Sequence, residues 1–142
     1  MKFELKYGKG TVEFEIAERN YMGSLLPNEV AYDLTGVAEV ERALQHPIGT
    51  PRLREIVKPG EKIVIITSDI TRPMPSKVVL PPVLNELKEA NVKAEDITIV
   101  LAVGSHRTHT EEEKRNLVGD MVYDSGIKVI DSDKNDCVNL GV

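Results

Sequence analysis

Tryptophan is absent from this 142-residue chain, and aromatic residues make up only 4% of it. Stacking platforms for single-stranded nucleic acid are therefore not expected, since each base needs a ring to lie on. Cations are outnumbered as well: 18 Lys and Arg stand against 23 Asp and Glu, for a formal net charge of −5. General nucleic-acid binding depends on clustered cations that neutralise backbone phosphates, so no such partner is expected. Cys137 is the one cysteine. That excludes an internal disulfide and a cysteine-based metal cluster, and Cys137 reads as a small residue near the chain end rather than a nucleophile. No apolar stretch approaches the roughly 20 residues of a membrane span, and no charged-then-apolar leader opens the sequence. The expected home is the cytoplasm, with no membrane partner. Neither G-x-G-x-x-G nor G-x-x-x-x-G-K-[ST] follows an apolar run, so an ordinary dinucleotide or P-loop site is not expected.

What is present is the composition of a globular domain, with 41% hydrophobic and 29% charged residues. The chain is long enough for one domain with its own core, expected to span 1–142. Phe3, Leu5 and Tyr7, then Val12, Phe14 and Ile16, alternate with polar residues around Gly8-Lys9-Gly10. This period of two predicts a β-hairpin over 1–17. Arg19 to Pro27 has no period and reads as a loop. Val37, Val40 and Leu44 recur at helical spacing up to Pro47. Thr50-Pro51 predicts the start of a second helix, with Leu53, Ile56 and Val57 on its core side and Pro59-Gly60 as its stop.

From residue 60 to 132 strands and helices alternate. Lys62–Thr67 and Ile97–Val103 are apolar, β-branched runs without polar alternation, the pattern of strands buried on both faces. Between them Val79, Val83, Leu84, Leu87 and Ala90 mark a helix that Pro81-Pro82 either opens or kinks. Thr110 and Glu113 form a capping box at the head of a helix over 111–118. Ile127–Ile130 is a third apolar run. The predicted fold is α/β, a Rossmann-like, largely parallel sheet flanked by helices, with the N-terminal hairpin added. Val138–Val142 reads as the beginning of a further element, so the chain is expected to be a truncated N-terminal portion of a larger two-domain enzyme.

Ligands of such sheets gather beyond the carboxyl ends of the strands. Two polar loops occupy those ends: Ser68-Asp69-Ile70-Thr71-Arg72-Pro73 and Gly104-Ser105-His106-Arg107-Thr108-His109-Thr110. Asp69 and Arg72, three apart, suit either a structural clasp or an anion site with the guanidinium fork partly free. Thr71 adds a hydroxyl and Pro73 fixes the exit. His106 is the candidate acid/base group, its ring oriented by Arg107 or Asp69; the alternative is an ordinary surface histidine. His109 with Glu111 or Glu112 is too weak a ligand set for a metal site, because the glutamates are explained by helix capping. No metal ligand is assigned from this chain alone.

Taken together, Ser68 to Pro75 and Ala102 to Glu113 resemble the N-terminal signatures of the nickel-dependent lactate racemase family, and Gly49-Thr50-Pro51 with Leu53 resembles that family's pattern before the first buried strand. The resemblance implies a racemase or epimerase that inverts the hydroxyl-bearing carbon of a small 2-hydroxy acid. It implies a nickel-pincer nucleotide, a pyridinium mononucleotide whose thio-acyl arms grip nickel, as hydride acceptor in the full-length protein. By resemblance, His106 is one of two acid/base histidines, and Asp69, Ile70, Thr71 and Arg72 belong to the cofactor-binding loop. Arg72 meets either the cofactor phosphate or the substrate carboxylate. The second histidine, the cofactor-bonded lysine and the nickel-ligating histidine fall in family segments beyond Val142. The remainder of the polypeptide, or a C-terminal domain, is thus the implied partner, and this portion alone is expected to be inactive and cofactor-free. Where family members often carry a His-Asp pair after the third strand, this chain reads Asp131-Ser132-Asp133, and Thr108-His109 replaces a Pro-containing pair. Two other functions compete: a non-catalytic sensor of a small acid or phosphate, and a phosphate-ester enzyme with Asp69 as nucleophile.

Overall fold

The computed structural model describes residues 1–72 and 74–138. Pro73, expected to fix a loop exit, and residues 139–142, expected to begin a further element, lie outside the described residues. The chain divides into two compact units, Met1–Tyr32 and Asp33–Val142.

In the first unit, β1 (Lys2–Tyr7) and β2 (Gly10–Glu15) pair antiparallel, with Tyr7 opposite Gly10. The turn is therefore only Gly8-Lys9. Gly8 takes φ +58, a conformation that a β-carbon makes costly and that two-residue hairpins demand. Phe3 and Phe14 face one another with ring centroids 5.6 Å apart, and Tyr21 tilts against Phe3 at 5.2 Å.

The second unit begins with α1 (Gly36–Gln45), whose span agrees with the Val37, Val40, Leu44 spacing. The next helix, α2, covers only Leu53–Ile56. Thr50 does not cap it. The residue before a proline is pushed to extended backbone, and the helix starts two residues beyond Pro51, where the Glu55 carboxylate accepts the Arg52 N–H at 3.0 Å. Leu53 and Val57 pack against the core, whereas Ile56 turns outward.

Three parallel strands follow, β3 (Ile63–Ser68), β4 (Ile97–Ala102) and β5 (Lys128–Asp131), in the order β3-β4-β5. They are joined by α3 (Ser76–Glu89), α4 (Glu111–Val118) and the short α5 (Asp120–Tyr123), the last of which has no clear sequence period. Pro81 and Pro82 neither open α3 nor end it; they lie inside it. Each removes one backbone donor. Packing of Leu80, Leu84 and Leu87 into the core holds the helix together across that gap.

Strands laid down in one direction with right-handed crossovers bring both connections to one face of the sheet. The burial follows suit. Ile97, Ile99 and Leu101 are buried under the helices with Leu80, Leu87, Val118 and Val122. On the other face, Val64 and Ile66 of β3 are 59% and 71% exposed. The expectation of strands buried on both faces is thus corrected for β3: its apolar run is continuous, but these residues cover one side only. Among the described residues, no helix is long and apolar enough to cross a membrane.

Candidate functional site

The register places Ser68 beside Ala102, so β3 and β4 end level and their loops leave side by side. Each loop is shaped locally. Asp69 starts a turn: its carbonyl accepts the Arg72 N–H at 3.1 Å, and its Oδ1 accepts the Thr71 N–H at 3.2 Å and the Thr71 hydroxyl at 2.7 Å. Short Asp side chains favour this self-bonded turn. A buried bond between the Thr67 and Ser76 hydroxyls, 2.7 Å, fastens the ends of the loop to each other. The second loop turns at once after β4, with His106 N–H donating to the Val103 carbonyl at 2.9 Å. Gly104, at φ +55, occupies the turn position where a side chain would be strained.

These turns bring the carboxylate of Asp69 and the imidazole of His106 into direct hydrogen-bonded contact, Oδ2 to Nδ1. Asp69 is buried, and the hydrogen bond from His106, reinforced by Thr71, lowers its pKa from 3.8 to about 2. An ionised carboxylate only accepts, so Nδ1 carries a proton, and in the neutral ring the lone pair lies on Nε2. The ring is half exposed, on a cavity of about 250 Å³ that it shares with Asp69, Ser105 and Arg72.

Arg72 does not clasp Asp69 through its side chain. The two are linked through the backbone, and Asp69 spends both carboxylate oxygens on His106 and Thr71. None of the ion pairs among the described residues involves Arg72, which is exposed at the cavity. Ile70 presents a side chain that is 47% exposed. Of the two candidates for orienting His106, Asp69 does so. Arg107 instead forms a two-pronged ion pair with Glu113, 2.8 and 2.7 Å, which holds the Glu113 carboxyl at about 2. Glu113 completes the capping box with Thr110, as the spacing predicts.

Sequence reasoning missed the parts played by His109 and Asp131. His109 is buried; its Nδ1 lies 2.6 Å from Asp131 Oδ1, and its Nε2 accepts the Ile70 N–H at 3.1 Å. Both ring nitrogens are occupied by protein partners, and Glu111 bonds to Lys114 and Tyr123. Among the described residues, no group of three or more His, Cys, Asp or Glu is placed to hold a metal. Ser132 serves the same corner: its hydroxyl accepts the Val103 N–H at 3.1 Å. Only the His-x-x-His spacing and the acidic residue ending the third apolar run hinted at this arrangement.

Residues 7–142 match the family model of the lactate racemase N-terminal domain. The chain belongs to this family. It is 36% identical over 140 residues to a lactate racemase of Thermoanaerobacterium thermosaccharolyticum, an alignment covering 96% of this chain and 33% of that protein. It is also 36% identical over 142 residues to a lactate racemase of Lactiplantibacillus plantarum, covering 97% of this chain and 33% of that protein. Among solved structures it resembles the lactate racemase apoprotein from T. thermosaccharolyticum, with a TM-score of 0.70 and 34% identity over 94% of this chain and 30% of that one. The chain thus spans about a third of the length of these relatives. The α/β fold, with its hairpin and parallel sheet, is the fold of that family.

Proposed function

We propose that this chain is the N-terminal part of a nickel-pincer-dependent racemase or epimerase of lactate-type 2-hydroxy acids, inactive until the rest of the site is supplied. One observation carries this reading above the others: Asp69 holds His106 through Nδ1, and the ring lines a cavity that Arg72 borders. A buried, ionised carboxylate holding a histidine in one tautomer is the arrangement of a proton acceptor and its orienting partner.

The residues fit the nucleotide by the chemistry of their donors. Arg72 offers a planar, always-charged fork suited to a phosphate or a carboxylate, and Ile70 offers a half-exposed apolar side chain on the same loop. Asp69 and Thr71 belong to the same loop, but their polar atoms are spent on each other and on His106, so they shape the site rather than grip the ligand. When bound, the nickel-pincer nucleotide supplies a reversible acceptor for the hydride of the substrate's carbinol carbon. His106 Nε2 would take the hydroxyl proton of one enantiomer as its carbinol is oxidised to the ketone, and would hand a proton back to that oxygen when the same enantiomer is re-formed. Asp69 remains ionised and stabilises the imidazolium formed in between. A second acid/base histidine for the other enantiomer, a lysine to bond the nucleotide and a histidine for nickel would have to come from outside these 142 residues.

The test joins this chain to the C-terminal two-thirds of a lactate racemase relative, loads the protein with the nucleotide, and follows D- to L-lactate conversion. The joined protein is expected to interconvert the enantiomers, the 142-residue chain alone is not, and His106→Ala is expected to abolish turnover. Full activity in that variant would remove His106 from the mechanism.

The exposed guanidinium of Arg72 also favours a second reading, a non-catalytic sensor of a small acid or phosphate. Calorimetry of this chain with lactate, malate and phosphate separates the two: tight binding here, with no turnover in any joined protein, selects the sensor. Asp69 is a poor nucleophile for phosphate esters, because both its oxygens are engaged and it is buried.

A further inference from the structure

Two cross-links join the same pair of loops. One is the contact between Asp69 and His106. The other runs one residue further along the first loop, from the Ile70 N–H to Nε2 of His109. A backbone N–H can only donate, so Nε2 must be the unprotonated ring nitrogen and Nδ1 must carry the hydrogen. That hydrogen points to Asp131 Oδ1 at 2.6 Å, while Asp131 Oδ2 accepts the His109 backbone N–H at 2.9 Å. The ring is therefore a neutral imidazole in a single tautomer, its side chain 1% exposed and that of Asp131 8% exposed. Asp131 ends β5, Ile70 follows β3, and His109 precedes α4. One imidazole thus ties the carboxyl ends of all three parallel strands.

We propose that His109 is a positioning residue of this site: through Ile70 it fixes the backbone of the Asp69 turn, and so the alignment of the Asp69 carboxylate with His106. The effect on turnover rests on the reading of His106 as proton acceptor; the effect on geometry does not. The logic singles out Asp131 as well. An ionised carboxylate accepts both hydrogens that His109 presents. An asparagine there has one acceptor and one donor group, so one hydrogen of His109 would face another donor. Moving the ring proton to Nε2 relieves that clash only by opposing the Ile70 N–H.

Nitrogen-15 and carbon-13 NMR of the 142-residue chain tests this without any cofactor. The unsubstituted protein is expected to show the Nδ1–H tautomer at His109 and a slowly exchanging Ile70 amide. In His109→Leu, exchange at Ile70 is expected to rise by about tenfold or more as a local opening becomes accessible. The Asp69 carboxyl, now less firmly held against His106, is expected to titrate above its value of about 2, toward 3.8. His109→Gln places an acceptor where Nε2 was, and is expected to restore both readings. Asp131→Asn is expected to shift the His109 tautomer or break the Ile70 bond, and keeps the test available should His109→Leu fail to fold. A lowered melting temperature with Ile70 exchange and Asp69 titration unchanged would make His109 a core residue and nothing more. An Nε2–H tautomer or an imidazolium in the unsubstituted chain would overturn the proposal outright. Neither result bears on lactate conversion, so failure here and failure of the racemase reading remain separate.

Discussion

Asp69 and His106, 37 positions apart in the chain, meet through Oδ2 and Nδ1 at the carboxyl ends of adjacent parallel strands. The pair exists because β3 and β4 finish level and because each loop turns immediately, the first on the side chain of Asp69 itself and the second on Gly104. Everything proposed about proton transfer depends on that contact being charged on one side and tautomer-fixed on the other.

Asp69→Asn tests this directly in the joined, loaded protein. An amide cannot replace the ionised acceptor, so the imidazole loses both its fixed tautomer and the charge that stabilises its protonated form. Turnover is expected to fall by about 10²- to 10⁴-fold, the range of a general base's contribution, with KM much less affected. A drop in KM-side binding alone, measured by steady-state lactate racemisation, would show that Asp69 holds ligand rather than His106.

Acid stability should report two carboxylates. Asp69 and Glu113 titrate near 2 when folded, against ordinary values of 3.8 and 4.5, because of bonds to His106 and Arg107. Both bind protons less readily folded than unfolded. Their contribution is therefore complete above those ordinary values and is lost as pH falls from about 4.5 toward 2. Urea midpoints measured from pH 5 to pH 2 are expected to decline across that window. Asp69→Asn and Glu113→Gln should each flatten part of the decline, and a variant with an unaltered slope would show that its carboxylate is not held as described.

The two faces of the sheet should respond differently to truncation. Ile99 is fully buried, and Ile99→Ala is expected to cost about 2–5 kcal/mol through lost burial and the cavity left behind. Ile66 is 71% exposed, so Ile66→Ala should stay within about 0.5 kcal/mol. Denaturant titration of the 142-residue chain distinguishes them, and equal costs would mean that the outer face is covered in solution.

Much of this architecture could be read from residue order. The period of two around Gly8, the apolar runs at Ile63 and Ile97, and the Thr110–Glu113 cap each carry a local physical signature, and each element lies where that signature puts it. Boundaries at Thr50-Pro51 and Pro81-Pro82 could not be read as well: a second local cap, Arg52 with Glu55, starts α2 in place of Thr50, and tertiary packing of core leucines carries α3 through its two prolines. In the site, the loops and their principal residues were legible as strand-end polar clusters. The partner of each side chain was not. Arg72 and Arg107 look equivalent in sequence, yet one is exposed at the cavity while the other is consumed by Glu113. The spacing offers His109 only as too weak a metal ligand, and nothing in it announces the bonds to Asp131 and Ile70.

The uncovered side of β3 has a cost of its own. Its outer backbone groups have no ladder partner among the described residues, and the branched side chains of Val64 and Ile66 stand beside them. A strand so presented is a template on which another molecule can grow. Handled as an isolated polypeptide, this chain should self-associate as its concentration rises, and a lysine at position 66 should suppress that tendency.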